Sequence, residues 1–136
     1  MIVFNSGESY LDTRGKLLFN NTLDLSIFKR LYIIENRNNS IIRGWQGHKV
    51  EQRLFFASQG IFSIRVVKVD DFDNPCHGLT SQEYILKAST FDSLLVSPGF
   101  ATAIKALENE SQLLCFSDYL IGETNDDYKF DIGIWK

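Results

Sequence analysis

The stretch Ile42 to Gly60, IRGWQGHKVEQRLFFASQG, gathers side chains that can hold an anion and move a proton. Arg43 and Arg53 carry guanidinium forks, which match phosphate and carboxylate oxygens geometrically. His48 is the side chain here that titrates near neutrality, and so can accept or return a proton. Gln46 and Glu51 add hydrogen-bonding capacity beside it. Composition alone gives more weight to a plainer reading, a charged hairpin with an incidental histidine. The elements around the stretch shift that balance.

The run ahead of it, RLYIIE from Arg30 to Glu35, and the Phe-, Ile- and Val-rich run from Leu54 to Val69 are β-like. Ionisable side chains packed between two such runs point to a site at the mouth of a β-barrel. Further strands are expected at Ile2–Phe4, Leu17–Phe19, Lys29–Ile34, Ser40–Arg43, Arg53–Ala57, Gly60–Val69, Tyr84–Ala88, Ser93–Val96, Ala101–Ala106 and Leu113–Leu120. Turn-forming clusters separate them, among them Asn36 to Ser40, Asp70 to Pro75, Ser97 to Gly99 and Gly122 to Asp127. That spacing predicts an all-β sandwich or barrel. Ser81 to Lys87 has a helical turn as an alternative, and no long segment carries a 3.6-residue period. Leu23 to Phe28 is expected to cross an opening or to meet another subunit. Terminal strands leave sheet edges that need a partner, so a homodimer is expected.

At 136 residues and 44% hydrophobic content, one domain spanning 1–136 with a packed core is expected. A net charge of −3 argues against nonspecific binding to nucleic acid or membrane. Cys76 and Cys115 form no CxxC pair, so neither zinc nor a redox motif is indicated. The N-terminus MIVFNSGESY does not read as a signal peptide, and the apolar runs are too short to span a bilayer. A cytoplasmic location is the expectation.

The ordered set Asp12–Leu17 (DTRGKL), Phe28–Tyr32 (FKRLY), Arg43–Gly44, Gly60, Pro98–Ala101 (PGFA), Tyr119, Asp131 and Trp135 resembles a cupin family of sugar-nucleotide enzymes. These are the dTDP-4-dehydrorhamnose 3,5-epimerases and the dTDP-4-keto-6-deoxyhexose 3,4-ketoisomerases. The resemblance covers nearly the whole chain and implies a cupin jelly roll. It implies cofactor-free chemistry on a nucleotide-linked 4-keto-6-deoxy sugar, in cell-surface polysaccharide synthesis. A base takes a proton beside the ketone, a cation holds the enolate oxygen, and an acid returns a proton. The family's Arg-Gly is followed two residues later by a base histidine, and in ketoisomerases by a second. Here these positions are Gln46 and His48, and the histidine position after PGFA is Thr102.

The resemblance therefore implies His48 as base and Tyr119 as acid, with Arg14 meeting the diphosphate. Arg43 and Arg53 would lie nearer the sugar, with Gln46 and Thr102 in the substrate pocket. The ligand positions of metal cupins fall on Gln46, His48, Arg53 and Thr102, which predicts no metal: an arginine repels a cation, and one imidazole makes no competent site alone. The alternative function is a sugar-nucleotide-binding cupin without turnover, because a glutamine has no usable basicity. The three arginines are expected to share one pocket.

Overall fold

A computed structural model describes residues 1–136. Twelve strands run in chain order: β1 (Ile2–Asn5), β2 (Glu8–Asp12), β3 (Gly15–Phe19), β4 (Arg30–Ile34), β5 (Ile42–His48), β6 (Arg53–Gln59), β7 (Ile61–Lys68), β8 (Gln82–Lys87), β9 (Ser93–Val96), β10 (Phe100–Ala106), β11 (Gln112–Ser117) and β12 (Tyr128–Lys129). One sheet has the order β1-β9-β6-β11-β4 and the second β12-β5-β10-β7-β8, all paired antiparallel. β2 and β3 form a separate hairpin. The fold is an all-β cupin jelly roll.

Strand alternation explains which side chains meet. Phe55, Ala57, Ile64, Val66, Leu94, Val96, Leu113 and Cys115 share the core between the sheets. Their intervening neighbours point the other way. On the second sheet those neighbours include Trp45, Val67, Ala101 and Ala103, which pack beneath Phe72 and Trp135 in a second cluster. Trp45 and Trp135 meet edge to face with ring centroids 5.3 Å apart. On the first sheet the outward set includes Phe56, Leu114 and Phe116, together with Leu31 and Ile33, which are 55% and 54% exposed. That sheet is therefore apolar on both faces.

The chain crosses between sheets at Gly60, where φ is +74° and a Cβ would collide with the Ser111 side chain. Only glycine satisfies both constraints without strain.

Most expected strands are present. The strand expected to end at Arg43 instead continues to His48, so the motif is built into β5 rather than a loop. Gln82–Lys87 is a strand, and the helical turn follows it at Ala88–Thr90. The last long strand stops at Ser117, leaving Tyr119 beyond its end. Leu23 to Phe28 is irregular, with Leu23 and Leu25 lining an apolar recess with Phe56, Phe91, Leu114 and Phe116. β2 and β12 have no counterpart in the expectation. β2 alternates too weakly, and β12 has only two residues, held by the neighbour β5.

Candidate functional site

The inward positions of three strands change from apolar to polar towards one end of the fold: on β4, Ile34, Tyr32, Arg30; on β11, Leu113, Cys115, Ser117; on β6, Ala57, Phe55, Arg53. On β5 the register against β10 shifts between Thr102 and Ile104, so Arg43 and Gln46 both face the cavity while Gly44 lies against Ala103 and Ile132 on the outer side. Register sets Arg30 opposite Ser117, Ser117 opposite Arg53, and Gln46 opposite Thr102. A cavity of about 510 Å³ opens there, lined by Tyr32, Arg43, Gln46, Arg53, Thr102 and Lys129 together with Ile33, Ile34, Gly44 and Ile104. Its charged side chains are all cationic. A second recess of about 230 Å³ adjoins it through Gln46 and contains Arg30, His48, Glu51, Asp126 and Asp127. Gln46 donates from Nε2 to Asp127 Oδ1 at 2.7 Å.

Arg53 is 4% exposed and has no carboxylate partner. Its Nε makes no hydrogen bond, its NH1 contacts His48 Nε2, and its guanidinium stacks over Tyr32 and Phe55 at 5.5 and 5.3 Å. Burial pushes its pKa down to about 10. A buried cation without a counterion is costly, and such an arrangement suits an anion arriving from the cavity. Cys115, on the neighbouring strand, has its thiol pushed up to about 12, chiefly by burial.

On its opposite side His48 faces two carboxylates. Its Nδ1 lies 3.3 Å from Glu51 Oε2 and 3.8 Å from Asp126 Oδ2. Asp126 closes the turn between β5 and β6 by accepting from the backbone N–H groups of Lys49, Val50 and Glu51 at 2.7–2.8 Å. Glu51 accepts from Ser117 Oγ at 2.5 Å and from Arg30 at 3.2 Å. His48, Glu51 and Asp126 place ligand atoms within 4.8 Å of one another. As a cation site this set is poor: Asp126 is already committed to three N–H donors, and the guanidinium groups of Arg30 and Arg53 flank the cluster.

Arg43, Gln46, Arg53 and Thr102 thus meet in one cavity, and His48 adjoins it through Arg53. Arg14 stands apart, in the β2–β3 turn. Its side chain is 85% exposed and ion-paired with Asp12 at 2.6 Å, an interaction that holds the Asp12 carboxyl below its usual range. Arg14 therefore does not share a pocket with Arg43 and Arg53 within one chain. Tyr119 lines neither recess; its ring lies beneath Lys29, whose Nζ is 5.9 Å from the centroid. The phenol that does line the cavity is Tyr32. Its signal was the alternation of Arg30, Tyr32 and Ile34, which places it on the face of Arg30. Asp131 lies away from His48, in a surface cleft with His77.

An all-β cupin jelly roll with a cationic, aromatic-walled cavity beside a buried histidine–carboxylate cluster defines the class. The chain belongs to the family described as "WxcM-like, C-terminal" (FdtA), whose model matches residues 4–133. No curated protein matches it in sequence. Among solved structures, it is similar to the dTDP-4-dehydrorhamnose 3,5-epimerase of Bacillus anthracis with TDP and pyrophosphate bound, at 18% identity and TM-score 0.74, covering 92% of this chain and 76% of the other. It is also similar to a 3,4-ketoisomerase from Helicobacter canadensis, at 17% identity and TM-score 0.72, covering 95% and 90%. A third is the QdtA 3,4-ketoisomerase of Thermoanaerobacterium thermosaccharolyticum, a double mutant in complex with TDP, at 19% identity and TM-score 0.71, covering 95% and 87%. At such identities the likeness establishes the fold.

Proposed function

We propose that the chain is an isomerase or epimerase of a nucleotide-linked 4-keto-6-deoxy sugar, a dTDP sugar by analogy with these structures, in cell-surface polysaccharide synthesis. The observation that carries this reading is Arg53, a buried cation with no carboxylate partner, standing between the cavity and His48. In the proposed reaction His48 takes the proton from the carbon beside the ketone. Arg53 stabilises the enolate oxygen, and Arg43 and Lys129 attract the diphosphate. Tyr32 takes the acid role in place of Tyr119, because its ring lines the cavity. Gln46 and Thr102 bind sugar hydroxyls. The reaction needs no metal, since Gln46, Arg53 and Thr102 replace the ligands that a metal cupin would use.

We also propose a homodimer. The exposed Leu31 and Ile33, with Leu25 and Ile27, offer apolar side chains to a second copy. A second chain would also provide a route for Arg14 to reach a diphosphate.

The second reading is a sugar-nucleotide-binding cupin without turnover. Gln46 favours it, because an amide tied to Asp127 occupies the family's first histidine position. Deuterium exchange from solvent into a dTDP-4-keto-6-deoxy sugar separates the two. Exchange by the wild type that is lost in His48→Asn, with dTDP binding retained, supports the enzyme. Binding without exchange supports the second reading.

A further inference from the structure

We propose that Glu51 is a positioning residue for His48: it holds the ring by Nδ1 and leaves Nε2 as the proton-accepting nitrogen on the cavity side. The proposal rests on the proposed function for its kinetic consequence, but its structural content stands on the geometry.

Glu51 and His48 are 7% exposed each, so water does not screen their contact. Nδ1 lies 3.3 Å from Glu51 Oε2 and makes no hydrogen bond of good geometry in this structure. Catalytic contacts of this kind are often poorly aligned without substrate and tighten in the complex. The far side of the ring faces an N–H donor, because Nε2 contacts Arg53 NH1. A guanidinium has only donors, so Nε2 must present its lone pair, and the proton of the neutral ring then sits on Nδ1. A carboxylate at Nδ1 and a donor at Nε2 select the same tautomer.

The carboxylate itself is fixed. Ser117 Oγ and Arg30 hold Oε1, and Thr124 Oγ1 lies 3.5 Å from Oε2. Asp126, 3.8 Å from Nδ1, is the other acidic group facing the ring, but its oxygens are occupied by three backbone N–H groups. The charged groups around His48 are therefore Glu51 and Asp126 on one side and Arg53 on the other, with Arg30 behind Glu51. An anion drawn into the cavity by Arg53 would pull the guanidinium from Nε2 and uncover the base. The tautomer would not change, because Glu51 holds it independently.

Two measurements test this. Ring ¹⁵N NMR of the wild-type protein, on its neutral histidine, should show His48 protonated on Nδ1 and bare on Nε2, both alone and with dTDP. A dominant Nε2–H form in either state overturns the proposal. In the deuterium-exchange assay, Glu51→Gln should lower kcat by about tenfold or more, out of the 10²–10⁴ that a positioned base contributes. KM should stay within about twofold, and Glu51→Asp should recover part of the rate. Unchanged kcat in Glu51→Gln overturns the proposal. If the wild type exchanges no deuterium, the isomerase reading fails, and the ¹⁵N measurement repeated on folded Glu51→Ala with dTDP bound decides the placement by Glu51: loss of the Nδ1–H preference supports it, and an unchanged preference overturns it.

Discussion

Replacing Arg53 by methionine separates a residue kept for a ligand from one kept for stability. Burial lowers the Arg53 pKa from 12.5 to about 10. At about 1.4 kcal/mol per unit, holding the charged form in the fold costs about 3 kcal/mol. The sign follows from the direction. A cation with a depressed pKa binds its proton less tightly when folded, so the cost is present in full at all pH below about 10. It is relieved only as pH rises from there towards 12.5, and neutral pH samples the whole cost. Stacking over Tyr32 and Phe55 returns about 0.5–1 kcal/mol per ring. Methionine keeps much of the apolar contact and removes the charge, so Arg53→Met should gain about 1–2 kcal/mol. For a chain of this length that is a rise in Tm of about 4–8 °C, read by calorimetry at pH 7. The same variant should bind dTDP about tenfold more weakly or worse, since a charge-assisted contact contributes about 1.5–3 kcal/mol. A variant that melts well below wild type and binds dTDP unchanged would refute the reasoning and make Arg53 a structural residue.

Other outcomes follow from the buried groups. Asp126→Ala strands three backbone N–H groups at the β5–β6 turn and should lower the unfolding free energy by about 3 kcal/mol or more; denaturant titration measures it, and a loss below about 1 kcal/mol would contradict the role given to that carboxylate. Cys76 is exposed and Cys115 buried, so a thiol reagent at pH 8 should modify one cysteine quickly in the folded chain and both after unfolding. With its thiol raised from 9.0 to about 12, Cys115 contributes stability that is complete below pH 9 and is lost between pH 9 and 12. Cys115→Ala should lose less stability than wild type over that window in pH-dependent unfolding.

Much of the fold was legible because alternation is a local property. The β-branched and aromatic runs announced nearly every long strand, whereas the crossing between sheets at Gly60 came only with the structure. The ordered motif pieces pointed to the family, and Gln46, Arg53 and Thr102 face one cavity because β5, β6 and β10 project them inward, whereas Arg43 joins them only through the register shift between β5 and β10. Other features depended on distances that no local pattern carries. Arg14 sits on a hairpin that joins neither sheet, so its link to the other arginines was invisible as a gap in space. Tyr119 lies just beyond the last long strand, and two residues past a strand end is enough to lose the alternation that would aim it inward. Tyr32 took the wall of the cavity because β4 lies at the sheet edge beside β11, a neighbour far away in sequence. The partners of His48 were the least legible. Glu51 is three residues away but reaches the ring only because the turn between β5 and β6 folds back. Asp126 secures that turn from the far end of the chain, and chain order does not encode a contact between a turn and a distant carboxylate.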